Sequence, residues 1–171
     1  MEYKSEMKFL LDEIEQTKQQ NVARLIDLIL NSDDPKVSHE AAFLLVDNFR
    51  DERIEDCLIS IINDPRWKNR NGTFLFLLGE YTNSSKYLYY LIELIFNNLD
   101  DGEIFMGAYG MIIDMQVPLD EKEIHRAIKF LKNEEKKAKK ESNKRKKKIT
   151  DSLLNYLEGQ IDICEFYKQF G

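Results

Sequence analysis

Displacing the chain by 33 residues lays apolar position on apolar position. Leu25, Leu58, Leu91 and Ile124 form one column, Leu28, Ile61, Leu94 and Ala127 a second, and Ile29, Ile62, Ile95 and Ile128 a third. Within each repeat the three positions are spaced i, i+3, i+4, which is one stripe of an α-helix. A fixed period of this length marks helical hairpins arranged in series, because one hairpin cannot bury its apolar face alone. A second set of helices follows the same period: Val37, Arg70, Ile104 and Ile149 are equivalent, as are Leu45, Leu78, Ile112 and Leu157, at steps of 33, 34 and 45 residues. No segment alternates with period two for long enough to suggest a strand.

The breaks between helices follow from local chemistry. Tyr3, Met7, Leu10, Leu11 and Ile14 predict an amphipathic capping helix that ends near Thr17, after which Asn21 offers an N-cap for Val22 to Leu30. Asp34-Pro35 starts the next helix, with proline at its first position, and Asp64-Pro65 starts an equivalent helix from Arg66 to Tyr81. Helices are further expected over about 52–62, 85–98 and 103–115, and Asp120 with Glu123 reads as a capping box for a fourth hairpin. The expected organisation is a single domain: a cap over 1–20, repeats over about 21–51, 52–83, 84–117 and 118–158, and a C-terminal tail over 159–171. The overlong last step places an insertion over 136–148, expected as a solvated helix extension or a mobile loop.

A chain of 171 residues buries roughly 70% of its unfolded surface, enough for a core without staples. Its two cysteines, Cys57 and Cys164, each fall inside an apolar helical pattern without metal-ligand spacing, so they read as buried thiols in a reducing compartment. No apolar leader or spanning segment is visible, and a cytoplasmic location is expected. The net charge of −6 conceals a division: residues 132–148 hold ten basic and three acidic residues, against 15 basic and 28 acidic elsewhere. An acidic body of this kind disfavours phosphate backbones and favours cationic partners.

Val37-Ser38-His39-Glu40-Ala41-Ala42-Phe43-Leu44-Leu45, the two Asp-Pro turns and Leu78-Gly79-Glu80 together resemble the HEAT repeat, an armadillo-type helical hairpin. The resemblance covers roughly residues 21–158, and it implies an all-α, right-handed α-solenoid of about four HEAT-like hairpins behind an N-terminal capping helix. The arginine typical of the family's second helix is absent: the matching positions hold Ser38, Asn71 and Phe105, and Arg66 and Arg70 are the available substitutes in one repeat.

Nothing in the sequence assembles a catalytic constellation. His39 and His125 lie on different repeats without partners, no metal site or cofactor is expected, and no small-molecule substrate is evident. Gly107 and Gly110 fall inside a helix, where small residues would let neighbouring helices approach. Tyr81, Tyr87, Tyr89, Tyr90 and Tyr109 are expected as an aromatic cluster around the second and third repeats.

Four-residue steps along the second helices pick out His39, Phe43 and Asp47, then Gly72, Phe76 and Glu80, then Met106, Gly110 and Asp114, each row ending in a carboxylate. A negative charge near a helix C-terminus costs about 0.3–1 kcal/mol, so its recurrence suggests a partner-binding row on a concave face. The competing expectation makes Phe43 and Phe76 inter-repeat core and has Arg50 satisfy Asp47. The functional expectation is a non-enzymatic module that holds a protein with a basic surface; its sharper form is a bacterial immunity protein that neutralises a cognate toxin. The alternative is a HEAT-like nucleic-acid-binding or DNA-glycosylase-type protein using the basic insertion, although an acidic inner face argues against nucleic acid as the main partner. A HEAT-like lyase or a subunit of a tetrapyrrole enzyme complex is a further possibility that no residue singles out.

Overall fold

The structure, a computed structural model, describes the backbone of residues 2–82, 84–115 and 118–170, and the side chains of 12–82, 84–115 and 118–165. The apolar spacing of Tyr3, Met7, Leu10 and Leu11 lies outside the described side chains. Among the described residues there are eight α-helices and no strand: α1 (Glu2–Asn31), α2 (Pro35–Asn48), α3 (Arg53–Ile62), α4 (Gly72–Tyr81), α5 (Leu88–Asn97), α6 (Gly102–Ile113), α7 (Glu121–Lys140) and α8 (Lys144–Phe170). The helices pack as neighbouring pairs, and the chain divides into two compact units, Met1–Thr82 and Asn83–Gly171.

In the first unit α1 pairs with α2 and α3 with α4, while α1 also packs on α3 and α2 on α4. The unit is therefore two hairpins laid side by side, with first helices forming one layer and second helices the other. The expected break near Thr17 is absent, and α1 is one helix of 30 residues. No glycine or proline interrupts residues 12–31, and the polar side chains there serve the helix: Thr17 Oγ1 donates to the Glu13 carbonyl at 2.9 Å and Gln19 Nε2 to Glu15 at 2.8 Å. Asn21 is an exposed residue inside the helix rather than a cap.

The apolar columns form core in α3, α5 and α7. Leu58, Ile61, Ile62, Leu91, Leu94, Ile95, Ile124, Ala127 and Ile128 are all buried. On α1, Ile29 is fully buried, but Leu25 is half-buried and Leu28 is 43% exposed.

The Asp-Pro turns behave as their chemistry requires. Asp34 accepts from Lys36 N at 2.9 Å with Pro35 opening α2, and Asp64 accepts from Arg66 N at the same distance. The helix expected from Arg66 to Tyr81 is nevertheless divided. Pro65–Trp67 makes a single 3₁₀ turn, Asn69 takes a left-handed conformation at φ 66°, and α4 starts only at Gly72. Asparagine tolerates that conformation, and the detour lets Trp67 turn inward to 5% exposure. Arg70 consequently precedes the helix and is exposed, whereas its column mate Ile104 is buried. Arg66 links the two hairpins: held by Asp64 at 2.7 Å, its guanidinium donates to the Leu30 carbonyl at 2.6 Å.

Two further contacts bind the first unit. The Tyr81 hydroxyl accepts from Asp51 N at 2.8 Å and donates to the Asp51 carbonyl at 2.9 Å, tying the end of α4 to the α2–α3 connection. Asp51 also accepts from the Arg53 guanidinium, whose hydrogen bonds lower the carboxyl's pKa to about 2, and Arg53 donates in turn to Gln19 of α1.

In the second unit α5 pairs with α6, α7 with α8, and α5 packs on α7. Helices α6 and α8 meet through tyrosines instead of close backbone approach: Tyr156 donates to the Ile112 carbonyl at 3.0 Å, and Tyr109 and Ser152 hydroxyls lie 3.2 Å apart. Asp120 caps α7 as expected, accepting from Lys122 N and Glu123 N, but Glu123 does not close the box. Ser85 Oγ accepts from the Asp120 backbone N–H at 3.1 Å in its place, which fastens the start of α7 to the segment before α5. Helix α8 continues through the expected tail, burying Gln160 and Cys164. Gly110 does not mediate a close approach, since a Cβ there would meet no atom within 4 Å.

Both cysteines are buried thiols outside any disulfide; Cys164 Sγ donates to the Leu119 carbonyl at 3.4 Å, and burial pushes Cys57 up to about 12. No helix among the described residues is long and apolar enough to cross a membrane.

Candidate functional site

Helix α2 buries Ser38, Ala41, Ala42, Leu45 and Val46, and α4 buries Phe74, Leu75, Leu77 and Leu78. The small pair Ala41-Ala42 sits where α2 meets its neighbours, and the residues between these positions are forced outward. Phe43 is 42% exposed, Leu44 54% and Phe76 56%, while Asp47 and Glu80 are exposed one turn further along their helices. The competing expectation that Phe43 and Phe76 are core is therefore overturned: in α4 the stripe that reaches the core is Phe74, Leu75 and Leu78, and Phe76 points away from it.

Arg50 does not neutralise Asp47. Its guanidinium donates to the Val46 carbonyl at 2.7 Å and the Phe49 carbonyl at 3.0 Å, and lies 5.3 Å from the centre of the Tyr81 ring. No ion pair among the described residues involves Asp47 or Glu80. Because α2 and α4 pack together, the first unit brings Phe43, Asp47, Phe76 and Glu80 onto adjoining helices as uncovered rings and uncompensated carboxylates.

His39 departs from this surface. Its ring is half-buried, 4.9 Å from Phe74 and 5.6 Å from Trp67, and Trp67 meets Phe74 edge-on at 5.1 Å. Four-residue spacing correctly puts His39 on the Phe43 side of α2, but the inward turn of Trp67 draws its imidazole into an aromatic cluster. Beside it Asn71 Nδ2 donates to the Ile62 carbonyl at 2.7 Å. Sequence reading missed Trp67, Phe74 and Asn71 as a group; the one available signal was a lone tryptophan four residues after an Asp-Pro turn's aspartate predecessor, Asn63.

The remaining two candidates belong to the second unit. Met106 is 70% exposed on α6, and Asp114 is the exposed C-cap residue of the same helix. Tyr156 lies nearby, and its hydroxyl pKa is raised by burial and by the Asp114 charge. The tyrosines divide between the two units. Tyr89 stacks edge-on with Phe130 at 5.7 Å under the Arg126 guanidinium, 3.8 Å from the ring centre; Tyr109 stacks on Phe105; and Tyr81 serves the first unit as described.

The basic segment is helical on both sides of a tight turn at Ser142, φ 54°. At its root Glu134, only 5% exposed, accepts from Lys137 Nζ and Lys146 Nζ, each at 2.6 Å, joining α7 to α8. Burial raises the Glu134 pKa, but the two lysines outweigh it and the net displacement is downward. A depressed carboxyl stabilises the fold above its unfolded value, near 4.3, and loses that contribution as pH falls through the folded value. Glu134→Gln removes both charge-assisted bonds, so it is expected to cost about 1–3 kcal/mol and to speed amide exchange across residues 136–146. Unchanged exchange there would show that Ala138 and Ile149 alone hold the hairpin.

Among the described residues, no group of three or more His, Cys, Asp or Glu side chains is placed to hold a metal ion. No family model matches the chain, and no curated protein or solved structure is significantly similar to it.

Proposed function

We propose that this chain is a non-catalytic protein-binding module of HEAT-like helical repeats whose second helices hold a partner with a basic surface. The observation that carries the reading is the pairing on α2 and α4 of exposed Phe43 and Phe76 with the carboxylates Asp47 and Glu80, which no cation of the described residues neutralises. Aromatic anchors next to charges of one sign are the composition of an interface core with its steering rim. The first unit has ten basic and sixteen acidic residues, a balance that speeds encounter with a cationic protein. Layering of first helices on first helices and second on second within the first unit supports the HEAT-like assignment. In the second unit Met106 of α6 is likewise exposed, and a basic toxin bound by a bacterial immunity protein is the narrowest form of the reading.

Reversal of Asp47 and Glu80 to lysine tests it. The double variant should keep its helical circular dichroism and melting temperature, while a partner captured by the unaltered chain is retained at least tenfold less. Capture that survives the reversal undiminished would remove α2 and α4 from the interface.

A further inference from the structure

We propose that the tip of the α7–α8 hairpin is a second, separate binding surface, and that it contacts the phosphate backbone of nucleic acid without reading sequence. Between Lys132 and Lys148 the chain carries ten basic residues and a single apolar one, Ala138, which is 1% exposed. Lys132, Lys136 and Lys140 follow one another at four-residue steps along one side of α7, and Lys144 and Lys148 do so on α8. Lys137, Lys139 and Lys146 pair with Glu134, Glu135 and Glu141 of the hairpin, and Arg145 lies 3.7 Å from Asp100. Lys132, Lys136, Lys140, Lys144, Lys147 and Lys148 are all exposed and join no ion pair among the described residues.

The register makes this surface a projection. By the 33-residue period the end of α5 at Asn97 corresponds to Phe130, and α7 runs ten residues further, to Lys140. At 1.5 Å per residue that is about 15 Å of helix, against a screening length of about 8 Å at physiological salt. Acidic residues at the hairpin's base are thus screened at its end, with the exception of Asp100, which lies 3.7 Å from Arg145, and the unpaired lysines there act as a local positive field on a protein whose net charge is −6.

Composition selects the partner. Protein interfaces are depleted in lysine and centred on aromatic, methionine and arginine anchors, none of which is exposed at this tip apart from Arg145. A helix that lies on a membrane needs an apolar face, and here no apolar side chain is exposed. Lysines presented as separate point charges on a rigid support suit a regularly charged polymer, and duplex nucleic acid, with one phosphate charge per about 1.7 Å, is the densest such polymer. Buried Glu134 keeps the two cationic helices together against their mutual repulsion, so the charges are positioned before the ligand arrives.

The test is fluorescence anisotropy of a labelled 20-base-pair duplex of random sequence, titrated with the full chain at 50 and 200 mM KCl. Four to six phosphate contacts predict a log–log salt slope of about −4 to −5 and a loss of affinity on the order of a hundredfold or more between the two salts. Lys136→Gln/Lys140→Gln, which keeps helix-forming side chains, should weaken binding at 50 mM KCl at least tenfold and reduce the slope by about 2. Arg24→Gln/Lys36→Gln removes the same charge from the first unit and should leave binding unchanged. The proposal is overturned if the duplex does not bind, if the slope is flat, or if the two double variants weaken binding equally. It is likewise overturned if phosphatidylserine vesicles bind at 200 mM KCl more tightly than the duplex.

Discussion

Leu58→Ala destabilises the first unit by about 2–5 kcal/mol, whereas Leu28→Ala, one column away in the preceding repeat, costs less than 1 kcal/mol. Leu58 is fully buried and Leu28 is 43% exposed, so truncation opens a cavity in one case and trims a solvated surface in the other. Urea denaturation followed by the fluorescence of Trp67, the single tryptophan, reads the first unit directly. Similar losses from both substitutions would mean that α1 is covered in solution by a surface absent from the isolated chain.

Phe74→Ala is expected to cost about 3–5 kcal/mol and to change the Trp67 emission, because Phe74 is fully buried and fills the space between His39 and Trp67. Phe76→Ala, two residues away on the same helix, should stay within about 1 kcal/mol and leave the emission unchanged, its ring being 56% exposed. The same Phe76→Ala substitution should nevertheless weaken partner capture. The pair separates the two roles of aromatic residues on α4: one ring holds the fold, and the other is free to hold something else. A large stability loss from Phe76→Ala would place its ring in the core and withdraw it from the proposed interface.

The hairpins and their register were readable from spacing, because burying a helix stripe demands apolar residues at fixed intervals; Asp34 before Pro35 starts α2, whereas Asp64 before Pro65 starts only a 3₁₀ turn. The exposure of Phe43 and Phe76 follows from the same spacing, since both fall between the positions that reach the core. Among the expectations that failed, one turned on local chemistry and three on residues distant in sequence. The break at Thr17 did not occur, as cap-forming asparagine yields to an uninterrupted helix when nothing else stops it. Arg50 left Asp47 for the Val46 carbonyl and the Tyr81 ring, a partner 31 residues on. Glu123 lost its capping role to Ser85, and His39 was drawn into the cluster made by Trp67 and Phe74.

The sequence by itself determined that this protein is helical, that its helices come in hairpins of one period, and which face of each helix is apolar, since all three depend on local geometry repeated along the chain. Only the tertiary structure decided which polar side chains are neutralised and which are left exposed, as with Asp47 and Glu80, and that the lysine-rich segment is helical on both sides of a turn at Ser142. Those outcomes turn on hydrogen bonds and ion pairs of a few ångströms between residues that no spacing rule connects, such as Glu134 with Lys146 and Tyr81 with Asp51.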